Sequence, residues 1–506
     1  MPDPRVIVVG AGAGGLAAAA DLARRGARVT VLDRAAAPGG KMRRVEVDGA
    51  GIDGGPTVFT MKWIFEGLFA DAGRRMEDHL ELHKAEILAR HAWRRGGRLD
   101  LFADIERSTE AIGDFAGARD AAGYRAFCKR SADMYRTLVG TFIAAERPSQ
   151  LDLVRRVGFG NLDRLVRTSP FATLWSSLGE HFSDPRLRQL FARYATYVGC
   201  SPFLAPATLM LIAHVEQDGV WLVKGGMRRV ADAIRELAES QGAVFRFGTE
   251  VRRILVARGR AAGVELADGE RLEADAVLFN GAPDALAAGL LGDAARIAAE
   301  PVPRLERTLS AVTWCVNAPT EGFDLEHHNV FFAEDYAEEF DAVLRRRTVA
   351  AAPTVYLCAQ DRGAGGRPEP GVRERMLLLV NAPPDGDRGA LDPTHVAGRT
   401  FELLGACGLS IRRDEGAEVV TTPAGFHALF PATGGALYGR LGHGFNGSFS
   451  RPGARSPLPG LYLAGGGVHP GPGVPMATMS GRLAAARLLE DRAGRRRSTI
   501  AFRPGR

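Results

Sequence analysis

The stretch RVIVVG at 5–10 is apolar and β-branched from its second residue and ends on glycine, which predicts a strand buried on both faces of a parallel sheet. Residues 16–26 follow with a helical pattern rich in Ala and Leu that stops at Gly26, and RVTVL at 28–32 predicts a second strand closing on Asp33. Such a strand–helix–strand start is the opening unit of a dinucleotide-binding fold. A hairpin is predicted in MRRVEVDGAGIDGGPTVFT at 42–60. From about 62 to 220 the pattern turns helical, with aromatics spread among charges, as in KWIFEGLFADAG and DRLVRTSPFATLWSSLGEHF. Strand patterns return at 242–283, where Asp268-Gly269 separates two alternating runs and predicts a tight hairpin. Residues 301–420 mix strands such as TVYLCAQ and RMLLLVNAP with the loop DRGAGGRPEPG. The last element is GLYLAGGGVHPGPGVPMATMSGRLAAARLLEDRAG, read as a strand, a second glycine-rich turn and a long helix.

These elements predict an α/β fold in which a Rossmann-like nucleotide domain is interleaved with an α+β substrate domain. The expected segments are 1–61, 221–300 and 421–495 for the first, 62–220 and 301–420 for the second, and a basic, solvated tail at 496–506.

Composition narrows the class. The chain has 506 residues, 46% of them hydrophobic and 25% charged, which is ordinary for a globular protein. The net charge of +6 comes mostly from arginine. No basic run is interleaved with aromatics, so nucleic acid is not an expected partner. Attraction to an anionic membrane surface fits the charge and the tail sequence. The five cysteines are dispersed without any C-x-x-C pair, which predicts reduced thiols and a cytoplasmic address. The adjacent His327-His328 and the spaced His79 and His83 lack a third ligand in sequence, read as surface polar residues, and no metal is expected. The long uncharged stretches are interrupted by Pro and Gly and do not read as membrane-spanning helices.

Gly10, Gly12 and Gly15 satisfy G-x-G-x-x-G between strand and helix, with Gly14 beside them. Gly10 permits the tight turn, Gly12 the approach of a pyrophosphate, and Gly15 close helix–strand packing. The helix start offers free N–H groups to phosphate. Asp33, eighteen residues past Gly15, is placed to accept ribose hydroxyls and disfavours a ribose phosphate, hence NADP. NAD and FAD remain, and three further segments favour FAD. Gly39, Gly40 and Lys41 follow the acid directly. Gly55, Pro56 and Thr57 supply a second close-approach loop. Gly465 and Gly466 lead through HPGPGVP to Val474 and Met476 at a helix start, which would stabilise negative charge arising on a reduced flavin ring.

On these motifs the chain resembles the CrtI-type carotenoid desaturases, a branch of the flavin amine-oxidase-like superfamily. GAGAGGLAAAADLARRGARVTVLDRAAAPGGK, GVWLVKGGMRRVADAI and LYLAGGGVHPGPGVPMATMSG are similar to that family's signatures, and the resemblance spans nearly the whole chain. The segment RYATYVGCSPFLAPATLMLIAHVEQDGVWLVKGGM most resembles the branch that desaturates the 3,4 bond of 1-hydroxy or 1-methoxy acyclic carotenoids in purple photosynthetic bacteria. The resemblance implies FAD, a long apolar carotenoid substrate, peripheral association with the inner or intracytoplasmic membrane, and adenine contact at Val251. It is compatible with a homo-oligomer. Asp163 and Arg167 map loosely onto an acid–base pair of the phytoene branch, although their spacing of four on a helix equally gives a surface ion pair. Asp33 and Lys41 depart from the Glu and Arg common in relatives.

Desaturation needs a hydride acceptor, which flavin provides, and a route for a proton. Hydride loss beside a polyene acidifies the neighbouring carbon, so positioning outweighs a strong base. A tunnel is expected to include residues 194–215, and a helix at 62–69 to touch the bilayer. Recognition of a 1-hydroxylated end requires a polar partner that the sequence does not single out. Phytoene desaturation, a non-catalytic prenyl-lipid carrier of the GDP-dissociation-inhibitor type and an amine oxidase are the alternatives. An intact ribose acid with HPGPGVP weighs against the carrier, and the lack of a recognisable aromatic cage against the amine oxidase.

Overall fold

The computed structural model describes residues 3–494 except 170, 364–365, 390 and 415; the basic tail lies outside the described residues. Its organising layer is a parallel sheet of five strands, in the order Leu461–Leu463, Ala276–Phe279, Arg5–Val9, Arg28–Leu32 and Val244–Arg246. Val8 pairs with Leu278 on one side and Val31 on the other, so the first strand is central and its β-branched residues are buried on both faces. The helix Ala13–Arg24 begins three residues before the predicted start, because Ala13, Gly14 and Gly15 already form its first turn. It is built almost wholly of Ala, Gly and Leu, and the helices Arg228–Ser240 and Val474–Arg492 pack against it in the core that also holds Leu16, Val230 and Leu483.

A second sheet has seven strands, ordered Glu418–Thr421, Ser310–Ala318, Glu374–Ala382, Val355–Ala359, His328–Phe332, Ile87–Trp93 and Arg98–Phe102. The last two lie within the stretch read as helical. Ile87–Trp93 is buried along nearly its whole length and shows no alternation, so its periodicity does not separate it from a buried helix. One face of this sheet packs with the helices Ala118–Leu138 and Pro185–Ala192 through Phe127, Phe191 and Phe332, and the other with Pro393–Ala406 through Trp314, Leu378 and Leu404. The hairpin Arg44–Val47/Ala50–Asp53 and the Asp268-Gly269 turn between antiparallel strands form as the sequence predicts.

The helix Lys62–Asp71 corrects one expectation. Ile64, Phe65, Leu68 and Phe69 are buried in the core against the first and last helices, which leaves that apolar face nothing to offer a bilayer. Arg482 of the last helix, 2% exposed, donates from Nε to Asp21 Oδ2 at 3.1 Å and from Nη2 to Asp71, joining three helices at one guanidinium. No described helix is long and apolar enough to cross a membrane.

Removing one member of such a buried pair leaves uncompensated charge. Arg482→Met is expected to lower stability by about 3–5 kcal/mol, read as a lower urea midpoint at unchanged slope. A shift no larger than that of Arg487→Met would contradict the assignment.

Candidate active site

The first and last glycine turns meet at the C-terminal edge of the parallel sheet. A Cβ on Gly14 would lie 2.9 Å from both Ala477 O and Gly465 N, and one on Gly481 would lie 2.0 Å from Gly14 O. Glycine at both positions therefore lets the two helices touch backbone to backbone. Gly15 packs against the strand, 2.0 Å from Gly10 O by the same construction, and stays out of the cavity, whereas Gly10, Gly12 and Gly14 line it.

That cavity encloses about 1830 Å³. Asp33 stands on its wall, with Oδ2 accepting from Ala11 N at 2.7 Å and Oδ1 from Ala35 N at 2.8 Å, so the glycine turn itself orients the carboxylate. Thr249 N donates to Asp33 O at 2.8 Å, which brings Val251 to the same end. Gly39 N donates to Ala11 O at 2.8 Å, and Gly40 sits against Gly12. Gly55, whose Cβ would lie 1.8 Å from Lys41 O, continues into Pro56 and Thr57 along the wall. Gly465, Gly466, Val474 and Met476 complete the opposite side. The predicted nucleotide residues other than Gly15 thus border one space.

Lys41 faces this space, its side chain open to the cavity. Its Nζ donates to Leu437 O and lies 5.2 Å from the centre of the Phe430 ring. Burial, reinforced by Arg451, brings its ammonium down to about 8, and Asp284 opposes the shift.

Several residues at the site escaped the sequence reading. Asn280 follows the strand Ala276–Phe279 and wedges between the two turns; its Nδ2 donates to Gly10 O at 3.4 Å, while Oδ1 is buried without a partner. Arg451 donates to the carbonyls of Tyr438, Gly466 and Arg440 at 2.7–3.2 Å and so shapes the second turn. Within HPGPGVP, His469 does not border the cavity. Its Nε2 meets Phe142 O at 2.9 Å and Ala145 O at 3.0 Å, and burial holds its pKa near 4, so it anchors the loop as a neutral ring. Asp53 accepts from Met227 N at 2.5 Å at the start of the helix Arg228–Ser240, tying the hairpin to KGGM. Only the FNGAP run, a glycine turn after a strand, offered a signal for any of these.

Beyond Thr57 the cavity becomes apolar. Tyr197, Val198, Leu209, Leu211, Ile212 and Val215 line it, so much of 194–215 forms its wall. Asp163 and Arg167 do not line it. They form an exposed pair, Nη2 to Oδ2 at 3.2 Å, one helical turn apart. The histidine pair is also placed differently from expectation. His328 is buried, and strand register sets it opposite Cys358, so His327, His328 and Cys358 hold potential ligand atoms within 4.8 Å of one another. A third ligand is therefore near in space, although distant in sequence. The rings are engaged in hydrogen bonds, His327 Nδ1 with Arg362 O at 2.7 Å and His328 Nδ1 with Tyr356 OH at 2.8 Å. His83 is exposed and pairs with Glu81. All five thiols are free.

Residues 13–489 match the family described as flavin containing amine oxidoreductase. The chain is 55% identical to the hydroxyneurosporene desaturase of Rubrivivax gelatinosus, over 96% of this chain and 93% of that one. It is 45% identical to the hydroxyneurosporene desaturase of Cereibacter sphaeroides, over 98% and 99%. Among solved structures, an oxidoreductase from Methanosarcina mazei superposes with a TM-score of 0.62 at 16% identity, covering 96% of this chain and all of that one, a likeness of fold.

The glycine cradle, the oriented acid and the orphaned Asn280 Oδ1 fit a flavin dinucleotide. Lys41 carries its charge below about pH 8 and loses it above. FAD uptake by the apoprotein, followed by flavin fluorescence quenching, is therefore expected to weaken as pH rises through 8, by at most about tenfold per pH unit. Lys41→Met should abolish that slope; an unchanged slope would remove Lys41 from the binding site.

Proposed function

Because the chain belongs to the flavin containing amine oxidoreductase family, we propose that it is an FAD-dependent desaturase that introduces the 3,4 double bond into acyclic 1-hydroxy or 1-methoxy carotenoids, of which hydroxyneurosporene is one. The observation that carries this reading is one continuous cavity, a dinucleotide cradle at one end and an apolar channel at the other. The names of relatives at 44–55% identity over almost their full length support the carotenoid class over an amine or a carried prenyl lipid.

FAD supplies a two-electron acceptor for the hydride leaving carbon. The chain's own contribution is alignment. Gly55 and Thr57 bound one side of the reacting region and Val474 and Met476 the other, while the apolar wall strips water from a polyene whose burial at about 25 cal/mol per Å² favours binding. The proton departs from the adjacent carbon to water, a base weak enough once hydride loss has made that carbon acidic, so atoms balance as one hydride to flavin and one proton to water for each new double bond.

A polyene is delivered from a membrane, and the mouth suits that route. Leu151, Val166 and Phe171 line the cavity yet are 61%, 72% and 83% exposed, and the neighbouring Arg155, Arg164 and Arg167 are exposed as well. Apolar groups ringed by arginines match an anionic lipid surface. The proposed contact is therefore Leu151, Val166 and Phe171 instead of the helix at 62–69, with the protein peripheral on the cytoplasmic side.

FAD-loaded enzyme given hydroxylated and unhydroxylated acyclic carotenoids should shift the absorption of the hydroxylated one to longer wavelength much faster than that of the other; equal conversion of both would overturn the 3,4 assignment. In flotation with anionic liposomes the protein should rise at low salt, and Val166→Asp with Phe171→Ser should leave most of it in the pellet fraction. No difference between the two proteins would remove the mouth as the contact.

A further inference from the structure

A charged cluster is sunk into the cavity wall. Arg193 and Glu216 are 6% and 4% exposed, and the guanidinium Nη2 lies 3.8 Å from Glu216 Oε1. Tyr194 OH donates to Glu216 Oε2 at 2.8 Å and Tyr197 OH to Oε1 at 2.6 Å, so both carboxylate oxygens are engaged. The guanidinium is engaged only in part, over the Tyr194 and Tyr197 rings and through one of its nitrogens. Nη1 donates to the Tyr197 oxygen, Nε is buried without a partner, and Nη2 is beyond hydrogen-bond distance of the carboxylate. Arg193, Tyr197 and Glu216 all border the cavity, whose wall continues through Leu209 and Ile212.

A buried guanidinium with unfilled donors is costly, and the deficit disappears when an oxygen acceptor enters. Arginine only donates, so the complement is any acceptor oxygen, hydroxyl or ether alike. Location adds to the chemistry. Tyr356 OH shares a hydrogen bond with Thr57 Oγ1 at 2.6 Å and with His328 Nδ1 at 2.8 Å. Val58, the neighbour of Thr57, packs with Tyr197 and Tyr356 against one hydrophobic core, and Thr57, Arg193, Tyr197 and Tyr356 line the same cavity, so the cluster shares its wall with Gly55-Pro56-Thr57. In a 1-oxygenated carotenoid only carbon 2 separates the oxygen-bearing carbon from the 3,4 bond, so an anchor for that oxygen must be near the reacting bond.

We propose that Arg193, held by Glu216 and Tyr197, binds the oxygen on carbon 1 of the substrate and so sets both the choice of substrate and the bond that reacts. This rests on the desaturase reading above and names its specificity-determining residue. A purely structural role, stapling the segment Arg193–Val198 to the helix Leu211–Asp218, predicts equal damage to every substrate.

The test uses FAD-loaded wild type, Arg193→Gln and Arg193→Lys, with kcat and KM measured for a 1-hydroxylated acyclic carotenoid and its unhydroxylated counterpart. In Arg193→Gln the ratio of kcat/KM between the two should fall at least about tenfold, chiefly through KM for the hydroxylated substrate. Arg193→Lys, which keeps charge and donors on a different frame, should move the ratio the same way by about threefold. A parallel fall for both substrates with the ratio unchanged would overturn the proposal. If Arg193→Gln does not load FAD, an unshifted ratio in Arg193→Lys overturns it equally. A wild type that converts both substrates alike fails the desaturase assignment instead, before any variant is compared.

Discussion

The contact between Gly14 and Gly481 is the constraint on which the remainder of the site depends. A Cβ on Gly481 would fall 2.0 Å from the carbonyl of Gly14, so any side chain there would push the last helix off the first. Their approach places Gly465 next to Gly14, fixes the wedge of Asn280 between the two turns, and brings residues more than 450 positions apart to opposite sides of one cavity. Arg482 reinforces the same junction from within, because its ion pair with Asp21 joins the same two helices. Packing and charge thus act at one seam. One wall of the nucleotide cradle is supplied by the C-terminal helix, held on the first helix by this seam.

The legible part of this molecule is the part whose constraints are local. Gly12 and Gly15 announce a turn because any side chain would block the backbone there, and Asp33 stands at a fixed reach from them. HPGPGVP is legible as a glycine-rich turn before a helix, and its residues from Pro470 on line the cavity, but His469 within it anchors to carbonyls of Phe142 and Ala145 that no spacing rule connects to it. The strand Ile87–Trp93 is hidden because a strand buried on both faces shows no alternation, while Arg98–Phe102, which does alternate, is only five residues long. Asn280, Arg451 and the Arg193–Glu216 pair depend on partners brought together only by tertiary packing. The histidines show the same limit, since His328 meets Cys358 across a strand register that adjacency in sequence cannot express.

Around the Arg193–Glu216 pair, several buried polar groups share one electrostatic character. Burial drives the phenols of Tyr194 and Tyr356 well above their ordinary range, and Tyr197 rises for the same reason. His328 is pushed well below its usual value, first by desolvation and then by the charges of His327 and Arg193. The Cys358 thiol is pushed up by burial and by Asp53. Each of these groups is held neutral across the physiological range and serves as a fixed donor or acceptor. Of these, Tyr197 and Tyr356 border the cavity and can orient an oxygen there without exchanging protons with it.

That character fits a reaction in which the difficult step is hydride departure from carbon. A base poised near neutrality would have to be charged within an apolar channel, where its desolvation opposes the same hydrocarbon burial that binds a polyene. Placing the substrate by one oxygen, and leaving the proton to a carbon already made acidic by the adjoining cation, avoids that conflict. The cavity then needs geometry at two points only, the glycine-bounded end and the guanidinium of Arg193, with hydrocarbon contact sufficing along the channel between Leu209 and the exposed ring of Phe171. A mouth that remains apolar to its rim follows from the same logic, because a substrate that never enters water needs no polar gate.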